Sequence, residues 1–589
     1  MRPNGRAGAG GDRLVDAMLV GLGALAALSA VLRVAASAAT WLQRLPAPNG
    51  GIGAGLGVLA RPLDPGAAVG APALNPILFW TVALGLLAVV GTGATFVVAR
   101  WRAHGHLGDP RRLDGVATGA DIARVATGRA LRRRARTLRP SLTGRIDPHQ
   151  VGYQLGTARG RKVWVSVEDS ILVLGPPRSG KGLHLVANLI LDAPGPVVTT
   201  STRPDNLTIT LRARERLGPV AVFDPQHLAP GLAAGMRWSL VRGCADPLTA
   251  MIRAAGLAAA TGMGGGGVEN GGFWEGKTRA AIQALLHAAA LDGRDARSLY
   301  RWALSPAAAA DAVHILAAAP QAAEGWAESL DSMIQSDPRT RDSIWQGVGL
   351  ALAALADPRV LDAVTPREAE SFDPTTFLEQ HGTLYLLATG AGAGASAALV
   401  AAFIEDLVET ARRIAARSPG ARLDPPLLLA LDEIGTLAPL PSLPTLMAEG
   451  GGTGLTTVPV LQSLAQAREK WGAENAGAIW DAAIVKVVLG GSANARDLQD
   501  VAALLGERDE QTVSVSRDTA GGRSYQTSVR RVPVMPPDVL RTLPFGTAVT
   551  LLRSAPPIIT DLRAWTVRSD AATLRADREA VEATLRAGA

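Results

Sequence analysis

Among 589 residues there is one cysteine, Cys244, so neither an internal disulfide nor a cysteine-built zinc site is available. That usage fits a reducing compartment, where Cys244 serves as a small apolar core residue. Aromatic residues are scarce, at 4%, and the abundance of alanine and glycine reflects biased composition, not function. A net basic charge is missing from most of the chain. Residues 1–99 carry 6 Arg and 3 Asp, and residues 100–145 carry 12 Arg and 3 Asp; with a whole-chain charge of +7, the remainder sums to −5. This excludes a generally basic nucleic-acid-binding body and leaves only local contacts, such as loops lining a pore. The length exceeds what one core usually supports and predicts several domains.

Against these absences stands ILVLGPPRSGKG, Ile171 to Gly182: an apolar β-type run entering a loop bounded by Gly175 and Gly180 and ending in Lys181. A triphosphate needs converging backbone N–H groups, an amine beside its terminal phosphates and a helix N-terminus behind them. Gly175, Pro176, Pro177, Arg178, Ser179, Gly180, Lys181 and Gly182 have that spacing. Helical periodicity follows from Leu183 to Asp192, then a second strand from Pro196 to Thr200. An ordinary glycine turn is the plainer reading of such a loop, and the strand–loop–helix–strand context favours the phosphate cradle. One position departs from the pattern: Gly182 replaces the Ser or Thr that would give magnesium a direct hydroxyl ligand.

Leu427 to Leu431 is a second apolar run, suited to a buried parallel strand, and it ends in Asp432 and Glu433. Read as a Walker B strand, it assigns Asp432 to Mg²⁺, through water, and Glu433 to general-base activation of the attacking water. The expected cofactors are therefore ATP and Mg²⁺.

Two uncharged stretches precede the loop. Ile77 to Ala99 holds 23 residues without a charge, about 35 Å as a helix, and Arg100 and Arg102 close it. Leu14 to Leu32 is weaker, with Asp16 near one end and Arg33 after it. A signal peptide is disfavoured by Arg33, by the missing cysteine pairs and by the nucleotide loop downstream. Arg2, Arg6 and Arg13 on one side, and the arginines of 100–145 on the other, predict both ends cytoplasmic, with a short Gly/Pro/Ala-rich extracytoplasmic loop between the spans. The cluster Arg129 to Arg139, so close to a membrane span, reads as a lipid-attracted linker more readily than as a DNA contact.

Further strands are expected at Val163–Val167, Val220–Phe223, Thr383–Leu387, Leu455–Leu461, Ile484–Leu489 and Ala548–Leu552, mostly alternating with helices, as in a largely parallel sheet covered on both faces. From Val241 to Gln380 β-like runs cease. There Asp246, Asp337, Asp357 and Asp373 each precede a proline, a helix-start signature, and predict an inserted all-helical domain. Gly264 to Gly267 reads as a connection. Thr512–Val515 and Tyr525–Arg530, split by Gly521 and Gly522, suggest a hairpin, and the residues from Ser569 a charged, solvated helix without evident chemistry.

Taken in order, the two membrane helices, GPPRSGKG, the helical insertion, LLLALDEIGTLAPLPSLPTLMAEGG and VLQSLAQAREKWG resemble the TraG/TraD-like coupling ATPases of conjugative type IV secretion, as do FDP at Phe223–Pro225 and FWE at Phe273–Glu275. The resemblance implies an α/β, RecA-like P-loop NTPase with a mostly parallel sheet, an inserted all-α domain and two N-terminal transmembrane helices. The implied domains are 1–100, an anchor with spans at about 14–32 and 77–99; 101–150, a basic juxtamembrane linker; 151–240, the NTPase with its P-loop; 241–380, the helical insertion; 381–568, the NTPase with Walker B and sensor; and 569–589, a helical tail. It further implies a homo-hexamer at the inner membrane, multi-pass, with a cytoplasmic NTPase that passes single-stranded DNA with its relaxase, or a protein substrate, to secretion-channel components. Lys181, Asp432 and Glu433 then match the phosphate lysine, magnesium acid and catalytic acid, and Gln462 the polar sensor after the next strand. No arginine finger is assigned; Arg468 and Arg496 are the candidates. A septal double-stranded DNA translocase of FtsK type and a docking platform with little turnover are the competing readings.

Overall fold

The computed structural model describes residues 9–51, 53–105, 109–232, 235–264, 270–388, 394–517 and 523–588. Arg2, Arg6, the glycine run beyond Gly264, and Gly521 and Gly522 lie outside them. The chain forms two compact units, Met1–Asp109 and Pro110–Ala589.

In the first unit, helices Ala9–Leu42 and Pro76–Gly105 carry apolar windows at Leu25–Leu42 and Pro76–Thr95, long enough to cross a membrane. The first helix contains the expected span 14–32 and continues past Arg33. Its guanidinium is satisfied at Gly50 O, Pro48 O and Ser37 Oγ, each at 2.6 Å, so the connecting loop absorbs the charge within the fold. That loop is itself structured. Short helices Ala54–Ala60 and Pro65–Val69 bury Val58 and Val69 against Leu32, Ala36 and Phe79.

The second unit is built on an eleven-stranded sheet. Its strands are β1 (Gly152–Ala158), β2 (Arg161–Ser166), β3 (Ile171–Leu174), β4 (Val197–Ser201), β5 (Val220–Phe223), β6 (Thr383–Leu387), β7 (Leu427–Asp432), β8 (Leu455–Leu461), β9 (Val485–Leu489), β12 (Thr547–Leu552) and β13 (Ile558–Leu562); β10 (Glu507–Arg517) and β11 (Arg523–Pro533) form a separate hairpin. The order is β2-β1-β13-β12-β9-β3-β8-β7-β4-β6-β5. From β9 to β5 all pairings are parallel, and from β2 to the β12–β9 pair all are antiparallel. Both faces of the parallel part are buried, which is why its strands read as continuous apolar runs. Along β7, Leu428 and Ala430 enter one core while Leu427, Leu429 and Leu431 enter the other.

Between β5 and β6 the described regular elements are helices, joined by loops that carry isolated bridges, and the aspartates before prolines cap as expected. Asp357 accepts from Arg359 N at 2.9 Å, and Asp337 from Arg339 N and Thr340 N at 3.1 and 3.2 Å. These helices are joined to the sheet through helix Gly394–Arg417, where Arg253 meets Asp406 at 2.9 Å and Gly256 lies against the Ala402 backbone.

Where a lipid-facing basic linker was expected, 110–150 is folded onto the antiparallel edge. Helix Gly128–Leu138 buries Leu131, Ala135 and Leu138 in one core with β1 and β2, Arg134 pairs with Glu168 at 2.7 Å, and Arg139 with Asp424 at 2.7 Å. The helix is amphipathic: its arginines line one face because leucine and alanine recur on the other. The C-terminal helix Ala571–Gly588 likewise differs from the solvated tail expected, burying Leu574 and Val581.

Candidate active site

Strand order brings the two sequence motifs together. β3 delivers the glycine loop, β7 delivers the acids, and β8 lies between them. The loops at the C-terminal ends of these strands enclose a cleft of about 660 Å³ lined by Pro177–Leu183, the segment after β4, Asp432 and Glu433. Gly175 is the start of the turn: its N–H donates to Leu461 O at 3.0 Å, and a Cβ there would fall 2.7 Å from Ser179 Oγ. Arg178 and Gly180 have φ of 64° and 86°, both in the left-handed region, so the loop turns tightly. The helix that follows opens as a π-turn over Gly182–Val186 before becoming α-helical.

Lys181 folds back so that Nζ donates to Gly175 O at 2.7 Å and Pro176 O at 3.0 Å. Burial lowers its pKa, opposed by the charges of Asp432 and Glu433. Asp432 is at the end of β7 and 9% exposed. Burial pushes its carboxyl up to about 6; the Asn206 hydrogen bond lowers it, Glu433 raises it further and Lys181 lowers it. Asn206 Nδ2 donates to Asp432 Oδ2 at 3.0 Å, while buried Oδ1 has no hydrogen-bond partner among the described residues. Such a single orphaned carboxylate oxygen, oriented by an amide on its twin, fits a metal-bound water or ion. Glu433 has φ of 52°, and its Oε2 accepts a hydrogen bond from Thr202 Oγ1.

Asn206 and Thr202 were not singled out from the sequence. They lie just past β4, the neighbour of β7, and hold both acids; Thr200 Oγ1 adds a 2.7 Å bond to Asp432 O. Asn206 also gives Gly182 a structural reason: a Cβ at 182 would fall 3.2 Å from Asn206 Oδ1. Gln462 follows β8, its N–H bonded to Gln466 Oε1 at 3.0 Å, and is not among the residues lining the cleft. Arg468, one finger candidate, is held by Asp497 at 3.0 Å and Asp500 at 3.2 Å. A more open cavity of about 600 Å³ lies near Arg139, Arg563 and Arg568, whose charges already pair with Asp424 and Asp192.

A parallel sheet with a glycine loop, its lysine and two acids converging at the strand ends defines a P-loop NTPase of RecA-like fold. Solved structures carry the comparison further. The conjugative coupling protein TrwBdeltaN70, unbound, aligns with TM-score 0.52 at 20% identity, over 74% of this chain and 91% of that one. TrwB with a non-hydrolysable ATP analogue aligns with TM-score 0.51 at 18% identity, over 75% and 93%; TrwB with ADP and Mg²⁺ aligns with TM-score 0.50 at 19% identity, again over 75% and 93%. Residues 426–545 match the family model described as the TraM recognition site of TraD and TraG. The chain thus has the fold of a conjugative coupling protein and is TraG/TraD-like in sequence over the segment that begins at β7. No curated protein matches it significantly in sequence.

Proposed function

We propose that this protein is a membrane-anchored ATPase that couples ATP hydrolysis to recruitment and translocation of DNA, or of a relaxase–DNA complex, through a conjugative type IV secretion channel. The observation that carries this reading is the TraD/TraG segment match, since it starts on the strand bearing Asp432 and Glu433 and is embedded in a coupling-protein fold. It favours conjugative coupling over the septal translocase.

The residues take the following roles. Lys181 exchanges the carbonyls of Gly175 and Pro176 for phosphate oxygens, with the loop amides around it. Asp432, oriented by Asn206, presents Oδ1 to the magnesium site; TrwB structures with an ATP analogue and with ADP and Mg²⁺ support both ligands here. Magnesium, when bound, would neutralise phosphate charge. Glu433 accepts the proton of the attacking water, with Thr202 setting its carboxylate in place. Gln462, beyond the strand between the two motifs, is assigned as the sensor. The helices Ala9–Leu42 and Pro76–Gly105, long and apolar enough to cross a membrane, support the reading of a multi-pass inner-membrane protein with its NTPase on the arginine-rich, cytoplasmic side. Its active state is a homo-hexamer, its partners single-stranded DNA with relaxase and secretion-channel components.

The test is ATP hydrolysis by the purified chain with and without single-stranded and duplex DNA, beside Lys181→Ala. Stimulation by single strands that vanishes in the variant is expected; turnover indifferent to DNA, or surviving loss of Lys181, would sink the motor reading.

A further inference from the structure

Two residues of the cleft come from the last stretch of the chain: Trp565 and Arg578. Their position is fixed by docking. Trp565 is 4% exposed and clusters with Ala187, Ile209 and Leu574. Arg568 reaches Asn188 Oδ1 at 3.2 Å and Asp192 Oδ1 at 2.7 Å on the helix that follows the P-loop. Asp577 pairs with Arg216 at 2.5 Å beside helix Asp205–Glu215, and a Cβ on Gly588 would fall 2.7 Å from Gly231 Cα. The C-terminal segment is thus bound to both helices that frame the phosphate loop.

Arg578 is the cation of that segment that lines the cleft. Its side chain is 43% exposed, and its partner is Glu582, one turn along the same helix, at 2.6 Å. An exposed i,i+4 pair is weak, and it engages only part of a fork of five donors. A polyphosphate entering the cleft would offer the same fork several anionic oxygens at once. Leu183, Ile209 and Trp565 line the cleft as well and give it an apolar side.

We propose that Arg578 is a nucleotide-binding residue supplied by the chain's own C-terminal helix, its guanidinium leaving Glu582 for the phosphates of a bound nucleoside triphosphate. This rests on the nucleotide reading of the cleft given above and assigns to that site an arginine from within the same subunit.

The test is equilibrium binding of MgATP to the full chain in detergent micelles, with thermal unfolding of each variant alongside. Arg578→Ala should weaken binding about tenfold, the effect of losing one charge-assisted contact, without lowering the unfolding temperature. Arg578→Lys should recover part of the loss. Glu582→Gln is the discriminating variant: it frees the guanidinium and should bind MgATP as tightly as the wild type, or more tightly. Equal weakening by Arg578→Ala and Glu582→Gln would reduce the pair to a structural staple and overturn the proposal, as would wild-type affinity in Arg578→Ala. Failure of the underlying nucleotide reading looks different: the wild type would not saturate with MgATP, or Lys181→Ala would bind it undiminished, and both readings would fall.

Discussion

Asp432 is where burial and function conflict most sharply. A carboxyl whose pKa stands near 6 in the folded state and in the ordinary aspartate range when unfolded binds its proton more tightly in the fold. Between those values the native state holds more protons than the unfolded one, so this group makes stability fall as pH rises, by roughly 3 kcal/mol in all. Asp432→Asn should therefore unfold at a higher temperature than the wild type above pH 6, with the gap closing towards pH 4, while ATP hydrolysis is lost. A thermal-unfolding series across that pH range checks it, and equal temperatures at pH 7.5 would show that burial does not strain this carboxyl. Glu433→Gln should act differently. Removing the proton acceptor should lower kcat by about 10²-fold or more and leave MgATP affinity within a few-fold; unchanged turnover would exclude Glu433 as the base. Lys181, Asp432 and Glu433 were legible because spacing and an apolar strand announce them. Asn206 and Thr202 were not, because a hydrogen bond to an acid more than two hundred residues away leaves no local pattern.

Among elements, the join between the helical insertion and helix Gly394–Arg417 depends on a buried ion pair, Arg253 with Asp406, whose side chains are 6% and 11% exposed. Arg253 also donates to Leu240 O at 2.8 Å and stacks over Trp238, with its centre 5.0 Å from the ring centroid. Arg253→Met would strand the Asp406 carboxylate in the core and should cost about 3–5 kcal/mol, whereas Arg253→Met with Asp406→Leu should recover much of that. Denaturant unfolding of the wild type, Arg253→Met, Asp406→Leu and the double variant measures the coupling, and additive losses would show that the two side chains act independently. The parallel strands were readable because each is buried on both faces and therefore continuously apolar. β1 escaped notice for a physical reason. β1 carries Gly152 and Gly156 where a Cβ would strike Val165 O and Asp561 O, so packing demands removed the β-branched signal. The C-terminal helix misled because its charged face, not Leu574 and Val581, dominates its composition.

At the scale of the molecule, the residues that line the nucleotide cleft run from Pro177 to Arg578, all within the compact unit that begins at Pro110. A fragment of residues 110–589 should therefore fold without the membrane helices and bind MgATP with an affinity within about twofold of the full chain. The start point is critical because 110–146 is part of that unit's core. Arg111 pairs with Asp561 at 2.5 Å, and Ile122, Leu131, Ala135 and Leu138 are buried with β1 and β2. Deleting these four side chains would uncover the apolar surface of β1 and β2 that they cover and forfeit several kcal/mol at about 25 cal/mol per Å², a large part of a typical domain's stability. A fragment starting at Asp147 should accordingly unfold at least 10 °C lower than 110–589 or aggregate on purification, even though it keeps every candidate site residue. Comparing the two fragments by thermal unfolding and MgATP binding decides the point: equal unfolding temperatures would return 110–146 to the role of a linker, whereas a stable 110–589 beside a failing 147–589 would make the arginine-rich segment a structural part of the motor.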